Sequence, residues 1–243
     1  MSRHRTMLER AAREKTMFGF PPAMDSRFGP AFAPANGHDQ WQQLAHQLFL
    51  SSGPDARGSV GLASATAGEG TSYVAFHLAA ELARSSWGRT LLLEANAHRP
   101  CQSERCGLPP DPGLRQLLDD KRFSLDDCLR ETAVEQLWLL PAGSGLDGGG
   151  QSPDWAGFRE LFAELRGRFA AIVVDLPPVN LSTDFLILGP LVDELVLVVQ
   201  AGCCGREVIQ NALARLRRAN PNVRGTVLNR RKFVIPAPVY RRL

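Results

Sequence analysis

Lysine is scarce in this sequence: among 28 basic residues only Lys15, Lys121 and Lys232 are lysines. Tyrosine is scarcer still, with Tyr73 and Tyr240 alone. Any chemistry that leans on a lysine ammonium, or on a cluster of phosphorylatable tyrosines, has few residues to draw on. No apolar run reaches the roughly 18 to 20 residues needed to cross a bilayer. The start, Met1-Ser2-Arg3-His4-Arg5, leads into a charged stretch rather than the apolar core of a secretory leader, so a cytoplasmic protein is expected. Cys101, Cys106, Cys128, Cys203 and Cys204 are odd in number and form no C-x-x-C pair, which argues against zinc or dithiol chemistry and for free thiols. A net charge of +3 is mild. Arginines do gather near both ends, at Arg3, Arg5, Arg10 and Arg13 and again at Arg230, Arg231, Arg241 and Arg242, but no nucleic-acid partner is expected from them.

What is present is enough for one sizeable core: 243 residues, 44% of them hydrophobic. Met7, Leu8, Ala11 and Ala12 fall at helical spacing among charged neighbours, so residues 1–17 are expected to form an amphipathic helix. Residues 18–38, rich in Pro, Gly and Ala without period, read as a linker, and residues 39–243 as the folded domain.

Within that domain short apolar runs alternate with helical patterns. Val60-Gly61-Leu62-Ala63, Thr90-Leu91-Leu92-Leu93, Leu137-Trp138-Leu139-Leu140, Ala170 to Val174, Leu195 to Val199 and Gly225 to Leu228 read as buried strands. Helices are expected at 39–50, 73–87, 114–119, 155–166 and 206–219. Continuous apolar strands alternating with helices imply an α/β fold with a doubly wound, mainly parallel sheet covered on both faces. In such sheets ligands bind at the carboxyl ends of the strands.

Three strand ends carry polar residues. After the first comes Ser64-Ala65-Thr66-Ala67-Gly68-Glu69-Gly70-Thr71-Ser72, where Gly68 and Gly70 would let successive N–H groups converge on a phosphate at a helix N-terminus. Ser72 stands where such a loop's hydroxyl reaches Mg²⁺, but Thr71 stands where the phosphate-binding lysine is expected. After the second come Glu94 and Asn96, and after the fourth Asp175, placed to hold Mg²⁺ through water.

Taken in order, these stretches resemble the bacterial tyrosine kinases of the CpsD/CapB type (BY-kinases), within the ParA/MinD group of deviant P-loop ATPases. The family's S-x-x-P-G-E-G-K-S loop corresponds to Ser64–Ser72, its L-L-I-D-A-D-x-R-x-P to Leu91–Pro100, and its I-I-D-x-P-P-V to Val173–Val179, with Asp184 downstream. The resemblance implies a P-loop NTPase fold and ATP or ADP with Mg²⁺ at Gly68, Glu69, Gly70, Thr71 and Ser72. It further implies Asp175 beside the metal with Ser72, and Asn229 against the base. It also implies work in exopolysaccharide synthesis or export beside a membrane polysaccharide co-polymerase, at the inner face of the membrane, and self-association in a homo-oligomer.

The chain departs from the pattern at Thr71, Glu94 and Asn96. It also lacks a tyrosine-rich tail, and the family's ring-forming E-x-x-R-x-x-R is replaced by Asp39-Gln40-Trp41-Gln42-Gln43-Leu44-Ala45. These departures favour a catalytically degenerate regulatory or scaffold subunit. Two alternatives stay open: an active ATPase or autokinase using another cation, and a ParA/MinD-like positioning protein.

Overall fold

The computed structural model describes residues 17–19, 38–49, 58–85, 88–144, 153–220 and 222–230. Its centre is one sheet in the order β1-β8-β7-β2-β6-β3-β5-β4. The strands are β1 (Met17–Gly19), β2 (Gly58–Ser64), β3 (Thr90–Glu94), β4 (Arg130–Glu131), β5 (Leu137–Leu140), β6 (Ala171–Asp175), β7 (Glu194–Gln200) and β8 (Val223–Asn229). All neighbours run parallel except the short β4 against β5. The helices are α1 (His38–Phe49), α2 (Thr71–Arg84), α3 (Gln102–Cys106), α4 (Leu114–Asp119), α5 (Leu125–Cys128), α6 (Phe158–Arg168), α7 (Phe185–Leu188) and α8 (Arg206–Ala219).

Side chains alternate across a strand, so each central strand feeds two cores. Leu91, Leu93, Ile172, Val174, Leu195 and Leu197 meet Phe158 and Phe162 of α6 and Ala212 and Leu216 of α8 on one face. Leu92, Val173, Val196 and Val198 meet Leu44 and Leu48 of α1 and Val74, Leu78 and Leu82 of α2 on the other. This is the doubly wound arrangement expected, and it explains why the strands read as unbroken apolar runs. At Gly61 on β2 an added Cβ would stand 2.7 Å from the Leu195 side chain and 2.8 Å from that of Leu176, so a larger residue would have to push these buried leucines aside.

The register fixes the site. Glu94 and Leu62 both pair with Asp175, so β3 and β6 end level; β2 runs two residues further, and β7 and β8 end together four residues beyond Val196, the partner of Leu62.

The expected domain boundaries need one correction. Met17–Gly19, divided between terminal helix and linker by composition, form β1 beside β8, with Phe18 opposite Val227. Three residues are too few for a periodic signal; an open strand edge supplies the hydrogen-bond partners. Residues 1–16 and 20–37 lie outside the described residues. The elements α3, α5, α7 and β4 were also not expected, being only two to five residues long.

Candidate nucleotide site

The loop between β2 and α2 is built as an anion cradle. Gly68 and Gly70 take φ of 88° and 90°, a region open chiefly to glycine, and Gly70 sits at the N-cap of the fourteen-residue α2. A Cβ at Gly70 would lie 2.1 Å from Asn229 Nδ2, so space as well as backbone conformation demands glycine there.

The loop is braced from behind. The Glu69 side chain turns into the protein, where Oε2 accepts the Thr66 N–H at 3.0 Å and Oε1 accepts the Cys204 thiol at 3.0 Å. Asn229, expected against a nucleotide base, is buried and spends its amide on structure: Nδ2 donates to the Glu69 carbonyl at 2.9 Å and Oδ1 accepts the Arg230 N–H at 2.9 Å. Arg230 Nη1 donates to the Gly68 carbonyl at 3.0 Å and to Gln200 Oε1 at 2.9 Å. The Glu69 and Asn229 side chains thus brace the loop from within.

The residue in lysine's place is buried and unmatched, since Thr71 Oγ1 has no hydrogen-bond partner. No lysine replaces it among the described residues: Lys121 is exposed beyond α4, while Lys15 and Lys232 lie outside those residues. Arg99 is exposed and Arg57 lies outside them too. Besides Arg230 on the loop, Arg105 of α3 reaches this edge, half-buried with its guanidinium 5.8 Å from the Tyr73 ring centre; it favours the charged forms of Asp175 and Glu94.

Glu94 does not face the loop as a metal ligand would. Its Oε1 accepts the N–H groups of Cys101 at 2.5 Å and Gln102 at 2.7 Å, and its Oε2 accepts the Ala142 N–H at 3.1 Å. The longer arm, compared with aspartate, has become a cap for α3 and a tie to the end of β5. Burial raises its pKa, with those three N–H groups pulling the other way. Asn96 is half-buried, and its Oδ1 is enclosed without a partner.

The cap has a consequence that sequence reading missed. It delivers the fully buried Gln102, whose Nε2 donates to the Ser72 carbonyl at 2.9 Å and to Asp175 Oδ2 at 2.8 Å. Both neighbours are acceptors, which fixes the orientation of the amide. Asp175 is itself fully buried, with Oδ1 unpaired, and burial pushes its carboxyl up to about 7 against hydrogen bonds from Ser72 and Gln102. Nothing local signalled this, because Gln102 lies 30 residues from Ser72 and 73 from Asp175.

The structure thus brings Ser72 and Asp175 together as expected. The cradle fits a phosphate chain: open backbone geometry and a helix N-terminus are in place. A Mg²⁺ ion does not fit the donors as they stand. It needs six oxygens in near-octahedral array and usually keeps several waters. Here Glu94 is turned away, Asn96 is uncharged, one Asp175 oxygen accepts an amide N–H, and the other is sealed from solvent. All five cysteines are free thiols, and no cluster of metal-ligating side chains occurs among the described residues.

A parallel sheet with a glycine loop at its central strand and an acid on the neighbouring strand defines a P-loop NTPase fold of the MinD/ParA kind. MinD from Pyrococcus horikoshii OT3, solved as a complex with Mg-ADP, superposes with a TM-score of 0.62 at 20% identity, covering 76% of each chain. Sequence comparison narrows the class. Over 192 residues the chain is 27% identical to the tyrosine-protein kinase CapB of Staphylococcus aureus, spanning 79% of this chain and 83% of CapB. It is 29% identical over 174 residues to the succinoglycan biosynthesis transport protein ExoP of Rhizobium meliloti, matching 70% of this chain and 22% of that longer protein. The chimerical protein CapA2B2 superposes with a TM-score of 0.78 at 20% identity, covering 93% of this chain and 99% of the chimera. No family model matches the sequence. The chain is similar in sequence to the bacterial tyrosine kinases (BY-kinases) of the CapB and CpsD type and shares their fold.

Proposed function

We propose that this chain is a catalytically degenerate BY-kinase relative that serves as a regulatory or scaffold subunit of exopolysaccharide synthesis or export. It docks on a membrane polysaccharide co-polymerase, which places it at the inner face of the membrane. No helix among the described residues is long and apolar enough to cross a membrane. The relation to ExoP, named for succinoglycan biosynthesis transport, supports the polysaccharide setting.

One observation carries the catalytic part: Thr71 stands in the lysine position, buried, with its hydroxyl unmatched. Phosphoryl transfer is helped mainly by positioning and by charge placed against the migrating phosphoryl group. A hydroxyl brings no charge. The loop's backbone N–H groups still suit a phosphate, so ATP or ADP binds weakly as a structural or signalling ligand. Calorimetry with ATP on the unmodified chain beside Thr71→Lys, together with anti-phosphotyrosine detection after incubation with ATP, tests the reading. Weak binding and no phosphotyrosine are expected; tight binding with turnover by the unmodified chain overturns it.

A second reading rests on Arg105, whose field reaches Asp175. If that guanidinium supplies the missing charge, the chain turns over ATP slowly and Arg105→Ala abolishes the turnover.

A further inference from the structure

We infer that Gln102, by holding Asp175 Oδ2, keeps this P-loop site from taking a divalent metal. The inference concerns the metal alone, although it deepens the degenerate-site reading above. In a P-loop the loop hydroxyl and the strand-end aspartate flank Mg²⁺. Those two residues here are Ser72 and Asp175; the Ser72 hydroxyl bonds to Asp175, and the Gln102 amide lies against Asp175 Oδ2 and the Ser72 backbone carbonyl. Its two N–H bonds are spent on the Ser72 carbonyl at 2.9 Å and Asp175 Oδ2 at 2.8 Å, so an uncharged donor offers the partial positive charge that a metal would bring.

Three further observations agree. Gln102 and Asp175 are both fully buried, so the contact is enclosed. The placement is enforced, because Glu94 Oε1 holds the Gln102 N–H at 2.7 Å and the Cys101 N–H at 2.5 Å. Both second-motif positions have also changed in ways that suit an uncharged donor: Glu94 has left the metal side, and Asn96 is neutral with Oδ1 unmatched. Glu94 and Gln102 act as one device, the carboxylate positioning the amide and the amide capping the aspartate. Any nucleotide seated in the loop is then held by backbone N–H groups and binds equally well with or without Mg²⁺.

The test uses the full chain, Gln102→Ala and Gln102→Glu, with folding of each verified by thermal unfolding. Mn²⁺ uptake is followed by electron paramagnetic resonance without nucleotide, and ATP affinity is measured in Mg²⁺ and in EDTA. The parent is expected to retain no Mn²⁺ and to show ATP affinities within about twofold in the two buffers. Gln102→Glu, which keeps the shape and turns the donor into an acceptor, is expected to take one Mn²⁺ and to gain thermal stability with it. Gln102→Ala is expected to gain Mn²⁺ uptake and at least fivefold in ATP affinity from Mg²⁺. Stoichiometric Mn²⁺ on the parent, or a Gln102→Glu variant as indifferent to Mn²⁺ as the parent, overturns the inference. If the parent binds no ATP in either buffer, the proposal of nucleotide binding fails, while the Mn²⁺ comparison still decides the role of Gln102.

Discussion

The two ends of the central strands differ in how fully their polar groups are matched, with Glu194 Oε2 at the start of β7 the unmatched atom of the amino end. At the amino ends Ser59, Asp193 and Arg166 match donor to acceptor. Asp193 Oδ2 accepts both the N–H and hydroxyl of Ser59 at 2.8 Å, Ser59 Oγ accepts the Asp193 N–H at 3.0 Å, and Arg166 Nη1 donates to Asp193 Oδ1 at 2.8 Å. At the carboxyl ends Thr71 Oγ1, Asn96 Oδ1, Gln102 Oε1 and Asp175 Oδ1 are enclosed without partners. An unmatched buried polar atom costs about 1 to 3 kcal/mol, so one end serves stability and the other keeps polar capacity in reserve. With threonine at position 71, the carboxyl end is still not ordinary core.

The sharpest way to break this comparison is Thr71→Lys. A unit charge about 4 Å from a phosphate is worth roughly 4 kcal/mol at an effective dielectric near 20, so ATP affinity should rise by up to about a thousandfold in calorimetry. A change under threefold would mean that the loop is no longer a phosphate site.

Next comes pH. Asp175, raised to about 7, keeps its proton when folded while the unfolded chain ionises near pH 4; its contribution is present in acid and is lost as pH rises from about 4 through 7. His77, stacked on Trp41 with ring centroids 5.0 Å apart, is pushed down to about 4 by burial and by Arg105 and Arg84. It ionises in the unfolded chain near pH 6.5, so its contribution falls as pH drops from there towards 4. The two largely cancel in the parent. Denaturant unfolding should therefore show the change of stability from pH 4.5 to 6.5 more positive than the parent's in Asp175→Asn and more negative in His77→Gln, each by up to about 3 kcal/mol. Parallel slopes in the two variants would refute the assignment.

Gly70→Ala must strain a left-handed backbone and displace Asn229, and should lower stability by about 2 kcal/mol while abolishing any ATP binding. At the matched end Asp193→Ala should cost about 1.5 kcal/mol by denaturant unfolding and leave ATP binding untouched. The smallest effect belongs to the exposed pair of Arg168 with Asp126, where removing the arginine should change stability by less than about 1 kcal/mol.

The expected strands reappear within two residues at either end, because each is an apolar run whose burial on both faces leaves few alternatives. Helix 206–219 is found at its expected bounds, its polar and apolar residues falling on opposite faces. The short elements were illegible for a physical reason: β1 exists only because β8 offers an unpaired edge, and α3 only because Glu94 caps it. Within the site, Gly68, Gly70, Ser72 and Asp175 could be placed from motif order. The orientations of Glu69, Glu94 and Asn229 could not, since a side chain turns where its partners are, and those partners are backbone groups supplied by distant strand ends.

The amino-acid sequence by itself determined the alternation of strand and helix, the glycine loop, and the absence of lysine from that loop; all are local properties of residue type and spacing. The tertiary structure alone decided what lies in the site. Glu94 could be either ligand or cap, and Gln102 was one polar residue among many, until parallel pairing of β2, β6 and β3 set Leu62, Asp175 and Glu94 side by side and closed the Gln102 amide over Asp175.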